Sequence, residues 1–115
     1  MRQKGLDGEK IAAKFLQNLG YKIISKNFHS RFGEIDIIVK DKTTIVFVEV
    51  KMRSNNSFGT PLESITYSKI EKIKKTAFYF LTINNLNNVD FRIDAVEVLA
   101  NDDKTEINHL KNITL

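Results

Sequence analysis

Gly33-Glu34-Ile35-Asp36-Ile37-Ile38-Val39 and, after a link of four residues, Thr44-Ile45-Val46-Phe47-Val48-Glu49-Val50-Lys51 together decide the fold of this chain. Side chains on a strand alternate between its two faces. Glu34, Asp36 and Ile38 therefore share one face of the first segment. Ile45, Phe47, Glu49 and Lys51 share a face of the second, with Val46, Val48 and Val50 on the other. The link Lys40-Asp41-Lys42-Thr43 is short and polar and predicts a hairpin. A loop of two or four residues puts Asp36 and Glu49 on the same side of the sheet, and the four-residue version sets them directly opposite. Two carboxylates and an ammonium then converge at one end of an apolar surface.

A hairpin with one wet face would explain the charges alone. It does not explain Ile38, Ile45 and Phe47, which lie among those charges while the opposite face is almost wholly Ile and Val. Strands apolar on both faces are interior strands covered on both sides. Charges there are costly unless paired or coordinated to a metal. Two readings are open: a structural ion pair, or a site for a hard divalent cation such as Mg2+ or Mn2+, which takes carboxylate oxygens.

At 115 residues the chain is read as a single domain, 1–115, with room for one core. A hydrophobic share of 42% marks a globular chain rather than a disordered one. No window approaches the ~20 apolar residues of a membrane span. Met1-Arg2-Gln3-Lys4-Gly5 leads straight into a charged helix, so a cytoplasmic protein away from membranes is expected. The chain has no cysteine, which excludes disulfides and thiolate zinc sites. A net charge of +4 favours a polyanionic partner. His29 and His109 stand far apart without ligand-like neighbours and are read as ordinary surface or strand residues. Gly5-Leu6-Asp7-Gly8 has the spacing of a KH-type loop, but that loop needs a helix before it.

Asp7 is expected to cap a first helix that runs to about Leu19 and stops at Gly20, with Ile11, Ala12, Phe15, Leu16 and Leu19 as its apolar stripe. Tyr21 to Phe28 reads as a strand and His29 to Gly33 as a turn into the hairpin. Met52 to Pro61 reads as a polar loop. A second helix is expected from near Thr66, with Ile65 and Ile70 as a hydrophobic staple. It carries Ile70, Ile73, Ala77, Phe80 and Leu81 inward, and Lys69, Lys72, Lys74 and Lys75 largely outward. Asn84 to Asn88 is a break, Phe91 to Leu99 a strand, Asn101 to Lys104 a turn, and Glu106 to His109 a weak last strand. The predicted class is α/β, a mixed sheet flanked by helices in the order α-β-β-β-α-β-β.

Asp36 followed by Glu49-Val50-Lys51 on two adjacent strands behind a helix resembles the D…(D/E)xK signature of restriction-endonuclease-like nucleases. A longer pattern is more specific. Gly5, Gly8-Glu9, Ala12, Phe15-Leu16, Gly20-Tyr21, Asn27, Gly33 to Ile38, Val46 to Lys51 and Arg53, continued by Lys69, Ala77, Leu81 and Arg92-Ile93-Asp94, resembles the YraN-like family of small, poorly characterised bacterial proteins. That family is similar in turn to archaeal-type Holliday junction resolvases, with a glutamate in the first helix and a homodimeric form.

The resemblance implies the restriction-endonuclease-like fold and a metal-dependent nuclease that hydrolyses phosphodiester bonds in DNA, with a structure-specific substrate of the junction type. Asp36, Glu49, Lys51 and Glu9 would be catalytic. Mg2+ or Mn2+ would be held by Asp36 and Glu49, with the Val50 carbonyl and Glu9 as further ligands and Glu34 binding through water. Arg31, Arg53, Lys69 and Lys72 would contact backbone phosphates. Read by itself, Glu9 is a first-turn acid favoured by the helix dipole; only the resemblance gives it a role. The alternative function is a non-catalytic nucleic-acid-binding module whose cluster is a structural ion pair.

Overall fold

Seven elements succeed one another in the computed structural model, which describes residues 4–54, 65–100 and 104–113. They are α1 (Lys4–Asn18), β1 (Lys22–Ser30), β2 (Gly33–Asp41), β3 (Thr44–Ser54), α2 (Tyr67–Ile83), β4 (Phe91–Ala100) and β5 (Thr105–Leu110). The strands form one sheet in chain order, and each neighbouring pair is antiparallel except β3–β4. Parallel neighbours need a long crossover, and α2 lies in that connection. The result is the mixed α/β sheet expected from the hydrophobic pattern.

The two helices cover opposite faces. Ile37, Val39, Val46, Val48, Val96 and Val98 pack with Ala12, Ala13 and Leu16 of α1. Ile38, Ile45, Phe47 and Ile93 pack with Ile73, Ala77, Phe80 and Leu81 of α2. This two-sided cover is why β2 and β3 are apolar on both faces. No helix among the described residues is long and apolar enough to cross a membrane.

Capping chemistry fixes the helix ends. Gly20, at φ 94°, donates its N–H to Gln17 O, and Tyr21 donates to Leu16 O, the paired bonds of a Schellman stop. Leu19 is the half-exposed cap of this turn and not part of the apolar stripe. At the other end α1 begins at Lys4, so Asp7 is a residue of the helix and not its cap. Thr66 caps α2 as expected, its hydroxyl accepting the Lys69 N–H at 3.1 Å. Ile65 and Ile70 both join the core beneath it.

The central hairpin closes on two residues, Lys42 and Thr43, with Asp41 paired to Thr44. Its register places Asp36 level with Glu49, so the opposition expected from a four-residue loop is reached with two. The β1–β2 turn is likewise shorter than expected, only Arg31 and Phe32, because β1 runs on to Ser30. β3 continues through Met52, Arg53 and Ser54, which the sequence pattern assigns to a loop. The rest of that predicted loop (55–61) and most of the predicted 101–104 turn (101–103) lie outside the described residues.

The alternation of faces breaks at one place in β2. Ile35 packs with the α2 cluster although Ile37 and Val39 pack with the α1 cluster. Across from it, the β1–β2 register is unchanged from Lys26↔Ile37 to Phe28↔Ile35, but Asn27 between them sits at φ 53°; the shift in that ladder lies between Ile23 and Ser25. Asparagine tolerates this left-handed geometry better than most residues. The irregular stretch of β2 is the one that carries Asp36.

Candidate active site

Beyond Ile37↔Val48 the β2–β3 hydrogen bonding is taken over by a side chain: the Val50 N–H donates to Asp36 Oδ2 at 2.8 Å. Asp36 and Glu49 thus face one cleft, lined on one side by Gly33, Glu34, Asp36, Glu49, Lys69, Lys72 and Ile73, about 320 Å3 in volume. A neighbouring opening of about 270 Å3 is lined by Glu9, Asp36, Glu49, Val50, Lys51, Met52 and Lys69. Asp36 and Glu49 belong to both. The same-side placement read from the strand periodicity is what the molecule has.

Burial pushes the Asp36 carboxyl up to about 7, helped by the charge of Glu49 and then of Glu9 and Glu34, against the single Val50 hydrogen bond. Glu49 is buried and meets Lys69, whose Nζ lies 2.8 Å from Glu49 Oε2. That hydrogen bond holds the Lys69 ammonium above its ordinary pKa despite partial burial.

Glu9, Glu34 and Asp36 form a group of three carboxylates, each offering an oxygen within 4.8 Å of the others. Asn27 organises it: with its amide nitrogen turned inward it donates to Glu34 Oε2 at 3.0 Å and to Glu9 Oε1 at 3.1 Å. Glu9, given a role only through resemblance, therefore stands inside the site. Glu34, expected to act at one remove, stands there as an equal. Asn27 belongs to the resembling pattern but carried no predicted role. Asparagine is depleted in strands, so its place within β1 is the local signal that marks it.

The four residues expected at phosphates have different settings. Lys69 is engaged with Glu49, and Lys72 lines the first opening beside Gly33. Arg31 is exposed on the β1–β2 turn and stacks over the Phe32 ring at 4.9 Å. That turn is pinned to α2 through Ser30 and the buried Thr76, whose hydroxyls are 3.0 Å apart. Arg53 is mostly buried and bonded to Glu97 at 2.6 Å. Lys51 lines the second opening, next to Glu49 along β3. The Val50 amide is spent on Asp36.

A separate polar cluster lies on the α1 side of β4. Arg92 donates to Asp94 through Nε at 2.9 Å, to Asp41 at 3.2 Å and to the Tyr21 hydroxyl at 3.1 Å. His109 Nε2 is 2.8 Å from Asp94, and the Asn112 N–H donates to Asp94 at 2.9 Å. His109 is thus the strand residue that the sequence reading allowed, on β5 and largely covered, wedged edge-on against Phe15 and Tyr21.

Comparison with known proteins gives the lineage. The uncharacterised protein family UPF0102 matches residues 8–98, and the chain belongs to it. A UPF0102 protein of Sulfurihydrogenibium sp. (strain YO3AOP1) is 48% identical over 96% of this chain and 92% of its own length. UPF0102 proteins of Clostridioides difficile (strain 630) and Syntrophomonas wolfei are 46% and 42% identical, each over 96% of both chains. This is the family that the YraN-like sequence pattern resembles. The match spans Glu9, Asn27, Glu34, Asp36, Glu49, Lys51 and Lys69.

Proposed function

We propose that this UPF0102 chain is a metal-dependent nuclease of the restriction-endonuclease-like superfamily, acting on phosphodiester bonds in DNA. The observation that carries the reading is the convergence of Glu9, Glu34 and Asp36 on one point, beside buried Glu49 and Lys51, at the mouth of an open cleft. The donors are all oxygen, which suits Mg2+ or Mn2+. Burial first, and then the charges of Glu49, Glu9 and Glu34, raise the Asp36 pKa, and a divalent cation would offset both. A cation there supplies the charge that acidifies water and screens a phosphate.

The protein's own groups complete the chemistry. Asp36 and Glu49 would hold the cation, with Glu9 as a further ligand. Lys51 can donate to a phosphate oxygen as charge builds in the transition state. Lys72, which lines the first opening, and Arg31, exposed on the β1–β2 turn, can hold flanking phosphates without reading sequence. A DNA substrate would agree with the cytoplasmic location expected from the sequence, and symmetric cutting of a four-way junction would require a homodimer with two-fold related sites.

The experiment is a cleavage panel of labelled junction, flap, duplex and single-stranded DNA with Mg2+ or Mn2+, run beside Asp36→Asn. Cutting by the wild type that Asp36→Asn abolishes is the expected result. A second reading draws on the Glu49–Lys69 bond, which gives Glu49 a counter-charge without any metal. In that case the protein is a binding module that retains DNA in EDTA and cuts nothing.

A further inference from the structure

Lys69 occupies a position that helix chemistry argues against. It is the third residue of α2, three past the cap Thr66, where the reciprocal capping arrangement calls for Glu or Gln. The N-terminal end of a helix also disfavours a cation, and the first turn of α2 holds no acid to offset it. A residue that breaks its local rules is expected to serve something else. Here that is Glu49, 2.8 Å away.

The two partners are unequally held. The Glu49 side chain is 7% exposed and fixed in β3, whereas that of Lys69 is 51% exposed on a flexible stem. Lys69 lines both openings of the cleft, so an ammonium leaving Glu49 stays among the site's walls.

We infer that Lys69 is an exchangeable counter-ion for Glu49: it neutralises the buried carboxylate while the site lacks a divalent cation, and gives way when one binds. The inference rests on the metal-dependent reading and adds to it a tethered competitor that weakens cation affinity. A displaced Lys69 ammonium then faces the cleft, where a phosphate would be.

The test is Mn2+ titration by calorimetry on four full-length proteins: wild type, Lys69→Met, Glu49→Gln and the double variant. Lys69→Met keeps the apolar stem and removes the charge from a half-exposed position, and circular dichroism checks that the fold is retained. It should bind Mn2+ about tenfold more tightly than wild type, within the range of coupling between contacting residues. In the Glu49→Gln background the same change should have no such effect, because the competition acts through Glu49. Tightening that persists without Glu49 would mean a general charge effect and would overturn the counter-ion role. Binding to the wild type that Lys69→Met leaves unchanged or weakens would overturn it too, while the metal-dependent reading stands. Absence of Mn2+ binding in both wild type and Lys69→Met would overturn both.

Discussion

Asp36 and Asp94 stand on strands of one sheet, both withdrawn from solvent, and their surroundings drive them in opposite directions. Asp94 has no exposed surface. Burial alone would raise its pKa, but His109, Arg92 and the Asn112 N–H more than compensate and hold the carboxyl below its ordinary range. Asp36 receives one backbone N–H and faces Glu49, Glu9 and Glu34, so burial and like charge prevail and it rises to about 7. The fold therefore satisfies a fully buried aspartate on β4 and leaves a partly buried one under-satisfied on β2. A buried carboxylate with its acceptors occupied is a strut; one crowded by other carboxylates is where we propose a cation.

The contrast breaks if stability does not track it. Asp94→Ala would leave Arg92 and His109 without their shared acceptor, and losing one side of a buried ionic network costs about 3–5 kcal/mol. Urea unfolding at neutral pH should show that loss, whereas Asp36→Asn should be close to neutral or stabilising. Equal losses in the two variants would show that Asp36 is as structural as Asp94.

The pH dependence sharpens the same point. The folded-state pKa of Asp36 is raised from 3.8 to about 7, so between those values the folded chain keeps a proton that the unfolded chain has lost. Its contribution to stability therefore falls as pH rises through that window, by at most about 1.4 kcal/mol per pH unit. Asp94, lowered, acts the other way: its contribution is present above 3.8 and is lost as pH falls through its folded-state pKa. Unfolding curves from pH 4 to pH 7 should show that Asp36→Asn removes the first trend. A wild-type stability that rises across that window, in step with the variant, would contradict the Asp36 assignment.

How much of the molecule was legible in the sequence divides along the same line. The hairpin, its two-sided cover, the start of α2 near Thr66 and the placement of Asp36 and Glu49 on one side of the sheet all come from period-two and helix-start patterns, which are local. Glu34 was undervalued because strand periodicity gives a face but not the break at Ile35, which belongs to the left-handed Asn27 on another strand. The turn of α2 that brings Lys69 onto Glu49, and the closure of β5 that brings His109 onto Asp94, are tertiary. A lysine on an amphipathic helix reads as solvated in the absence of that information. The same is true of Arg53, whose partner Glu97 lies on the parallel strand reached only through the crossover.

Within the site, the lysines separate chemistry from binding. Lys51 lines the opening shared by Glu9, Asp36 and Glu49, close to where a phosphate would react. Lys51→Met should lower single-turnover cleavage by about a hundredfold or more, the scale of losing one transition-state donor. Affinity for DNA measured with Ca2+ in place of Mg2+ should fall only slightly. Cleavage by Lys51→Met at the wild-type rate would remove Lys51 from the catalytic set.

Lys72 is the smallest of these effects and the most diagnostic of the surface. It lies a turn of α2 beyond Lys69 and lines only the first opening, on the Gly33 side, away from Lys51. Its side chain is exposed and can meet a phosphate flanking the reacting one, a contact that positions DNA and carries salt dependence. Lys72→Ala should weaken DNA binding at low salt and flatten the plot of log affinity against log salt by about one phosphate's worth, a slope change of roughly 0.9 for duplex DNA. Its single-turnover rate at saturating DNA should match the wild type. A variant with unchanged salt slope and a reduced rate would place Lys72 with Lys51 at the chemistry, and the rim would then have to be sought at Arg31 on the β1–β2 turn.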